Sequence, residues 1–245
     1  MKISLLILLI FVSVSLYSQR NTYYGAELGL TNPRLLHSNS NNISYRNDFG
    51  HPIFGFSLRQ ELGKKISLET GYFYHIYMEE FLVYQIYSAP GVFTTHQIPV
   101  LMHISKDVYK DRIQLFASIG PLFCLQTQLV GAVSEGFDGS GKKISVLTNN
   151  GEQFYTLIGG ELGIHYKVVD ELLLSLTGGF HYGLKKIREY DIEYWDEDVL
   201  LSSMKSYSKG EFWKITFGLS YPLGRIRKLV REAYDSAIED GTLRK

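Results

Sequence analysis

Cysteine is almost missing from this chain: Cys124 stands alone in 245 residues. One thiol excludes an internal disulfide, and its distance from the N-terminus excludes the lipid-carrying cysteine of a lipoprotein. Paired cysteines for zinc are absent, and the seven histidines show no HExxH-type spacing, so the sequence predicts no metal and no other cofactor. Charge of one sign is missing too. Twenty-five basic residues balance 25 acidic ones, which removes the electrostatic footprint of a nucleic-acid binder. Long apolar runs are confined to residues 3–16; nothing later approaches the roughly 18 unbroken apolar residues of a membrane-spanning helix.

Residues 1–19 set Lys2 before that run and end on Tyr17, Ser18 and Gln19, the layout of a secretory signal peptide with cleavage near Ser18 or Gln19. What is plentiful is tyrosine, phenylalanine and glycine: 18, 14 and 23 residues. That mixture suits β-strands that pack closely and present aromatic rings at membrane interfaces.

Eight segments alternate apolar with polar or small residues: 22–30, 53–62, 66–78, 94–104, 112–125, 154–167, 171–184 and 211–223. Successive strand side chains point to opposite faces, so each segment separates into two sets. In the third, Ile66, Leu68, Thr70, Tyr72, Tyr74 and Ile76 oppose Ser67, Glu69, Gly71, Phe73 and His75. In the last, Trp213, Ile215, Phe217, Leu219, Tyr221 and Leu223 oppose Lys214, Thr216, Gly218 and Ser220. The seventh is less clean, with Leu173 in its polar set. Joints at 63–65, 105–111 and 168–170 are short, while 31–52, 79–93, 126–153 and 185–210 are long. Most segments reach the roughly 9–11 residues a tilted strand needs to cross hydrocarbon. The pattern predicts an all-β fold, an eight-stranded antiparallel up-and-down transmembrane β-barrel over residues 20–223, with short periplasmic turns and long extracellular loops. A signal peptide precedes it and a periplasmic tail, 224–245, follows.

Charged residues share the glycine-rich face, and bulky aliphatics the other. Small groups fit a crowded lumen and bulky ones fit lipid, so the lumen set is Glu27, Arg59, Glu61, Glu69, Glu161, His165, Lys167 and Lys214, with His75, His103 and His181 on the same parity. Eight strands leave an interior only wide enough for side chains. Isolated buried charges are costly, so these groups are expected to pair in a closed polar network. The alternative is a narrow polar conduit or ligand pocket.

Three strands carry a family resemblance. HQIPVLMHI (96–104), LFASIGPLF (115–123) and GGELGIHY (159–166) resemble, in order and spacing, strands of the Bacteroidetes outer-membrane β-barrel family that includes the PorT-like proteins. Thr216, Gly218, Tyr221 and Leu223 resemble the terminal-strand signal read by the outer-membrane assembly machinery, although here the chain runs on beyond it. The resemblance implies an outer-membrane barrel with outer-membrane lipid and that machinery as partners; it implies no catalytic activity. Proline supplies no ladder donor, so bulges or kinks are expected near Pro99 and Pro121.

Outside the barrel, IREYDIEYWDED (187–198) combines Tyr190, Tyr194 and Trp195 with six acids, a candidate contact loop for an envelope partner. The tail places Ile226, Leu229, Val230, Ala233 and Ala237 at helical spacing, an amphipathic helix that would lie on the membrane surface or dock on a partner. Its basic start and acidic end oppose the helix dipole. Three functions remain open: a non-enzymatic barrel with a structural or interaction role in secretion or envelope assembly; a lipid-modifying barrel enzyme drawing on His37, Ser38, Ser40 or His181; and a soluble lipocalin-like binder with its faces reversed.

Overall fold

The computed structural model describes residues 22–34, 37–38, 43–45, 50–78, 81–83, 86–88, 92–109, 112–127, 133–137, 141–150, 153–168 and 172–224. The expected signal peptide and the helical tail from 225 onward lie outside the described residues.

Among the described residues sixteen strands follow one another: β1 Thr22–Arg34, β2 His37–Ser38, β3 Ile43–Tyr45, β4 His51–Glu61, β5 Ile66–Met78, β6 Phe81–Val83, β7 Ile86–Ser88, β8 Val92–Tyr109, β9 Ile113–Thr127, β10 Val133–Phe137, β11 Lys142–Asn150, β12 Phe154–Lys167, β13 Leu173–Gly183, β14 Arg188–Asp196, β15 Val199–Ser208 and β16 Glu211–Pro222. Eight of them close an antiparallel barrel in the order β1-β16-β13-β12-β9-β8-β5-β4, with β4 returning to β1. Closure leaves no free sheet edge, which is what lets strands stand in a solvent that offers no hydrogen bonds. The barrel strands run 11 to 18 residues, enough to cross hydrocarbon at a tilt.

The two faces separate as alternation requires. Leu28, Phe56, Ile119, Leu162, Leu176, Ile215 and Phe217 all point outward and are exposed, Leu162 by 70%. Their strand neighbours Ser57, Arg59, Ser118, Glu161, Thr177, Lys214 and Thr216 are buried inside. An aromatic ribbon crosses the outer face, Tyr24 stacking on Phe56 at 6.4 Å and Phe56 on Tyr72 at 5.8 Å. A continuous apolar exterior around a charged interior inverts the rule for a protein in water and matches lipid as the outer solvent.

The prolines differ from expectation. Register holds through Pro99, from Thr70↔Val100 to Phe73↔Gln97, with pairing lapsing between those points and no extra residue inserted. Pro121 keeps its partner Ile158 on β12. The strands compensate locally: Thr70 Oγ1 donates to the Pro99 carbonyl at 2.8 Å. At Gly120 the Val100 carbonyl approaches so closely that a Cβ would sit 2.1 Å from it. Proline here opens the ladder without slipping it; the register shift on β8 falls instead at Asp107/Tyr109, beside the turn.

The described residues of the four long connections are mostly strand. They contain a five-stranded sheet, β10-β11-β14-β15-β2, and a three-stranded one, β3-β6-β7. Ile86 from β7, Ile144 and Val146 from β11, Tyr190, Ile192 and Tyr194 from β14, and Met204 from β15 form one buried cluster. The barrel therefore carries an ordered β cap with a core of its own.

Candidate functional site

The lumen is built from the inward parity of the barrel strands, in two levels. Deeper in the barrel, Lys214 on β16 faces Glu161 on β12, Nζ to Oε1 2.6 Å, and His181 Nε2 on β13 lies 3.4 Å from the same oxygen. Two strands thus converge on a carboxylate carried by a third. Thr216 Oγ1 donates to Glu27 Oε2 at 3.2 Å, tying β16 to β1. Lys214 Nζ also sits 5.4 Å from the Phe73 ring centre. Toward the short turns, Arg59 hydrogen-bonds the His165 ring and lies 5.0 Å from the Tyr23 ring centre. His103 Nε2 is 3.3 Å from Glu69 Oε2. The Phe116 ring stacks on His165 at 4.3 Å and tilts against His103 at 5.2 Å. Opposite charges at these distances in a poorly solvated interior hold one another, which isolated ones would not.

The expected lumen set is thereby sorted. Glu27, Arg59, Glu69, Glu161, His165 and Lys214 meet in or beside one narrow polar cleft, with room for about one water, lined also by Ser57 and Ser175. Glu61 stands apart at the turn end, lining a second cleft with Lys64 and Gln114. Lys167 is half-buried at the end of β12.

Toward the long connections the interior turns aromatic. His75 Nε2 meets Thr31 Oγ1 at 2.6 Å and its Nδ1 meets Gln97 Nε2 at 3.3 Å. Phe212 packs against His75 at 5.1 Å and His181 at 4.6 Å. Leu122, Cys124, Tyr155, Leu157, Ile187 and Phe212 form a second buried cluster. Cys124 is a wholly buried thiol within it.

The contact-loop residues fall differently. Tyr190 and Tyr194 are buried in the cap core, where neither ring is open to a partner. Trp195 is half-buried on the opposite face of β14, under Lys143 Nζ at 5.5 Å. Glu189 is exposed, and Asp191 and Glu193 are half-buried, on that same face. Arg188 went unrecognised in the sequence: it lies inside the fold, 4.2 Å from the Phe93 ring centre, donating from Nη2 to Tyr77 OH at 2.5 Å. The period-two pattern Arg188, Tyr190, Ile192, Tyr194 was the available signal. His37 and Ser38 pair with Tyr207 and Ser206 as the short strand β2. Ser40 lies outside the described residues.

A closed antiparallel barrel, apolar without and charged within, defines the outer-membrane type of β-barrel. No family model matches the chain, and no curated protein matches it. Among solved structures it is similar to the outer membrane protein OprG from Pseudomonas aeruginosa, with 10% identity and a TM-score of 0.50 over 83% of this chain and 98% of that one. Neisserial surface protein A aligns over 82% of this chain and 96% of its own, at 9% identity and a TM-score of 0.44. At such identity the OprG likeness speaks for the fold alone.

Proposed function

We propose that this protein is a non-enzymatic integral outer-membrane β-barrel with a structural or interaction role, held in lipid by its apolar belt and presenting its β cap outside. The observation that carries this reading is the division of each barrel strand, exemplified by β16: Phe217 faces outward and exposed, and its neighbour Thr216 is buried and bonded to Glu27. Lys214–Glu161 and Arg59–His165 fill the interior where a conduit would run, which supports a plug over a pore. The short turns and both ends of the barrel lie in the periplasm on this reading, and the cap lies outside.

Resemblance to the PorT-like proteins favours participation in secretion or envelope assembly, with the assembly machinery and an envelope protein as partners. The outer face of the cap, with Trp195, Glu189 and Glu193, is the contact surface, and the tail offers a second one. A lipocalin-like reading has less support, because it needs an apolar interior and a polar exterior. A lipid-modifying reading has less support: of its candidate residues, His181 points into the lumen beside Glu161.

The test is membrane fractionation, then electrophoresis of the detergent-soluble outer-membrane fraction with and without heating. An outer-membrane band that shifts on heating is expected; a soluble protein with no shift overturns the proposal.

A further inference from the structure

One side chain spans the outer mouth of the barrel. Arg188 begins β14, in the connection between β13 and β16. Its guanidinium seats on Phe93 and Tyr77, which belong to β8 and β5. In the barrel order β5 stands four places from β13, and β8 four places from β16, directly across the ring. A residue carried by one wall is therefore held by the opposite wall.

The seat has the composition of a cation site. Arg188 Cζ lies 4.2 Å from the Phe93 ring centre and 5.1 Å from that of Tyr77, with the Tyr77 hydroxyl accepting its Nη2 hydrogen bond at 2.5 Å. Arg188, Phe93 and Tyr77 are 1%, 0% and 4% exposed, so the contact is fully desolvated. Beside it lies a small crevice, with room for about one water, lined by His75, Tyr77, Gln97, Tyr155, Glu211 and Phe212. Planar guanidinium over aromatic faces, with oxygen acceptors at its rim, is the geometry that Arg favours over Lys.

The segment that carries Arg188 is jointed at both ends. Gly183 closes β13, and a Cβ there would lie 2.0 Å from the Lys209 carbonyl of the returning strand. Gly210, just before β16, has φ +73°, a conformation open to glycine and strained for other residues. The β14–β15 hairpin thus leaves and rejoins the barrel through two glycines that no other residue replaces without rearrangement.

We propose that Arg188 is a latch that closes the cap over the barrel, and that its seat between Phe93 and Tyr77 is a guanidinium-binding site able to take a guanidinium-bearing ligand when Arg188 is withdrawn. With the latch seated, Ile187 covers Tyr155, Phe212 and Cys124. With Arg188 out of the seat, the cap sheet, to which β14 stays paired through β11, tilts from the barrel mouth at the glycine joints and the aromatic chamber opens to the outside. The ligand class is set by the seat: a planar, monovalent guanidinium, free or at the end of a side chain. This inference concerns a ligand site under the cap and holds whatever partner the outer face of the cap engages.

Cys124 is the built-in reporter, as the chain's one cysteine, wholly buried beneath the latch. The experiment measures maleimide labelling of Cys124 in the full chain in detergent, for wild type and R188A, with and without millimolar methylguanidinium and against sodium chloride at equal ionic strength. Loss of a desolvated cation–aromatic seat corresponds to a roughly 30-fold rise in the open population, and labelling of R188A is expected to accelerate by about that factor. In wild type, methylguanidinium competes with Arg188 for the seat and is expected to accelerate labelling, whereas sodium chloride at equal ionic strength is expected to leave it slow. Labelling of R188A at the wild-type rate overturns the latch; wild-type labelling that methylguanidinium does not accelerate beyond sodium chloride overturns the ligand site. A heat-shifted band verifies that the barrel has formed. Should R188A not give one, R188M keeps the side-chain stem and carries the same comparison.

Discussion

Lys214 Nζ lies 2.6 Å from Glu161 Oε1, with both side chains at 7% exposure or less. A pair this buried is costly to assemble and costlier to halve. K214M removes the cation from the buried Glu161 carboxylate, leaving the His181 ring beside it, and is expected to destabilise the barrel by about 3–5 kcal/mol. The double variant K214M/E161M is expected to recover most of that loss. Urea unfolding in lipid vesicles reads both. Equal losses in the single and double variants would mean that the cost does not come from an uncompensated Glu161 charge.

Arg59 bridges Tyr23 and His165 at the other level of the lumen. R59L removes five N–H donors from a buried site and leaves the His165 ring without its partner. The temperature at which the heat-shifted band converts is expected to fall. Unchanged stability together with new solute leakage through vesicles would turn the lumen into a conduit.

The belt makes a prediction of opposite sign for outward positions. Phe217 sits mid-strand on β16, paired with Leu28 and Leu176, all three exposed. F217R is expected to cost about 2–4 kcal/mol in a bilayer, the penalty for a cation at hydrocarbon depth. S203R, on the exposed side of β15, is expected to stay within about 0.5 kcal/mol of wild type. Equal tolerance at both sites would place Phe217 in water.

Tyr190 is wholly buried in the cap core. Y190A is expected to cost the cap about 3–5 kcal/mol while leaving the barrel intact, since the two clusters share no residue. Limited trypsin digestion should then cut at Lys142, Lys143 and Lys205 and leave a protected, heat-shifting barrel. Cleavage that destroys the barrel at the same rate would show that cap and barrel fold as one unit.

The barrel was legible because its code is redundant. Eight strands repeat one alternation, and a single slip would turn Phe217 inward and Lys214 out to lipid. Strand limits drifted by a few residues, most on β8, which runs on to Tyr109. The cap was harder to read for a physical reason. Tyr190, Ile192 and Tyr194 alternate with Glu189, Asp191 and Glu193, and a strand with one acidic face carries the composition of a solvated loop. The same acids drew attention to Tyr190 and Tyr194 as contact residues, whereas packing buries both rings. Arg188 was invisible for a related cause: its aromatic seat is built from Tyr77 and Phe93, about a hundred residues earlier, and periodicity carries no information across that distance.

The most direct test of the account is which face meets lipid. Trp195 and Trp213 are the chain's two tryptophans; Trp213 points outward from β16, 52% exposed and 4.5 Å from the Phe180 ring. In the variant W195F, Trp213 is the sole reporter, and its fluorescence is measured in vesicles containing lipids brominated on the acyl chains. Strong quenching, absent with unbrominated lipid, is the result expected of a barrel whose apolar face lies in the bilayer. Undiminished fluorescence from a correctly folded barrel would put that face in water and contradict the account.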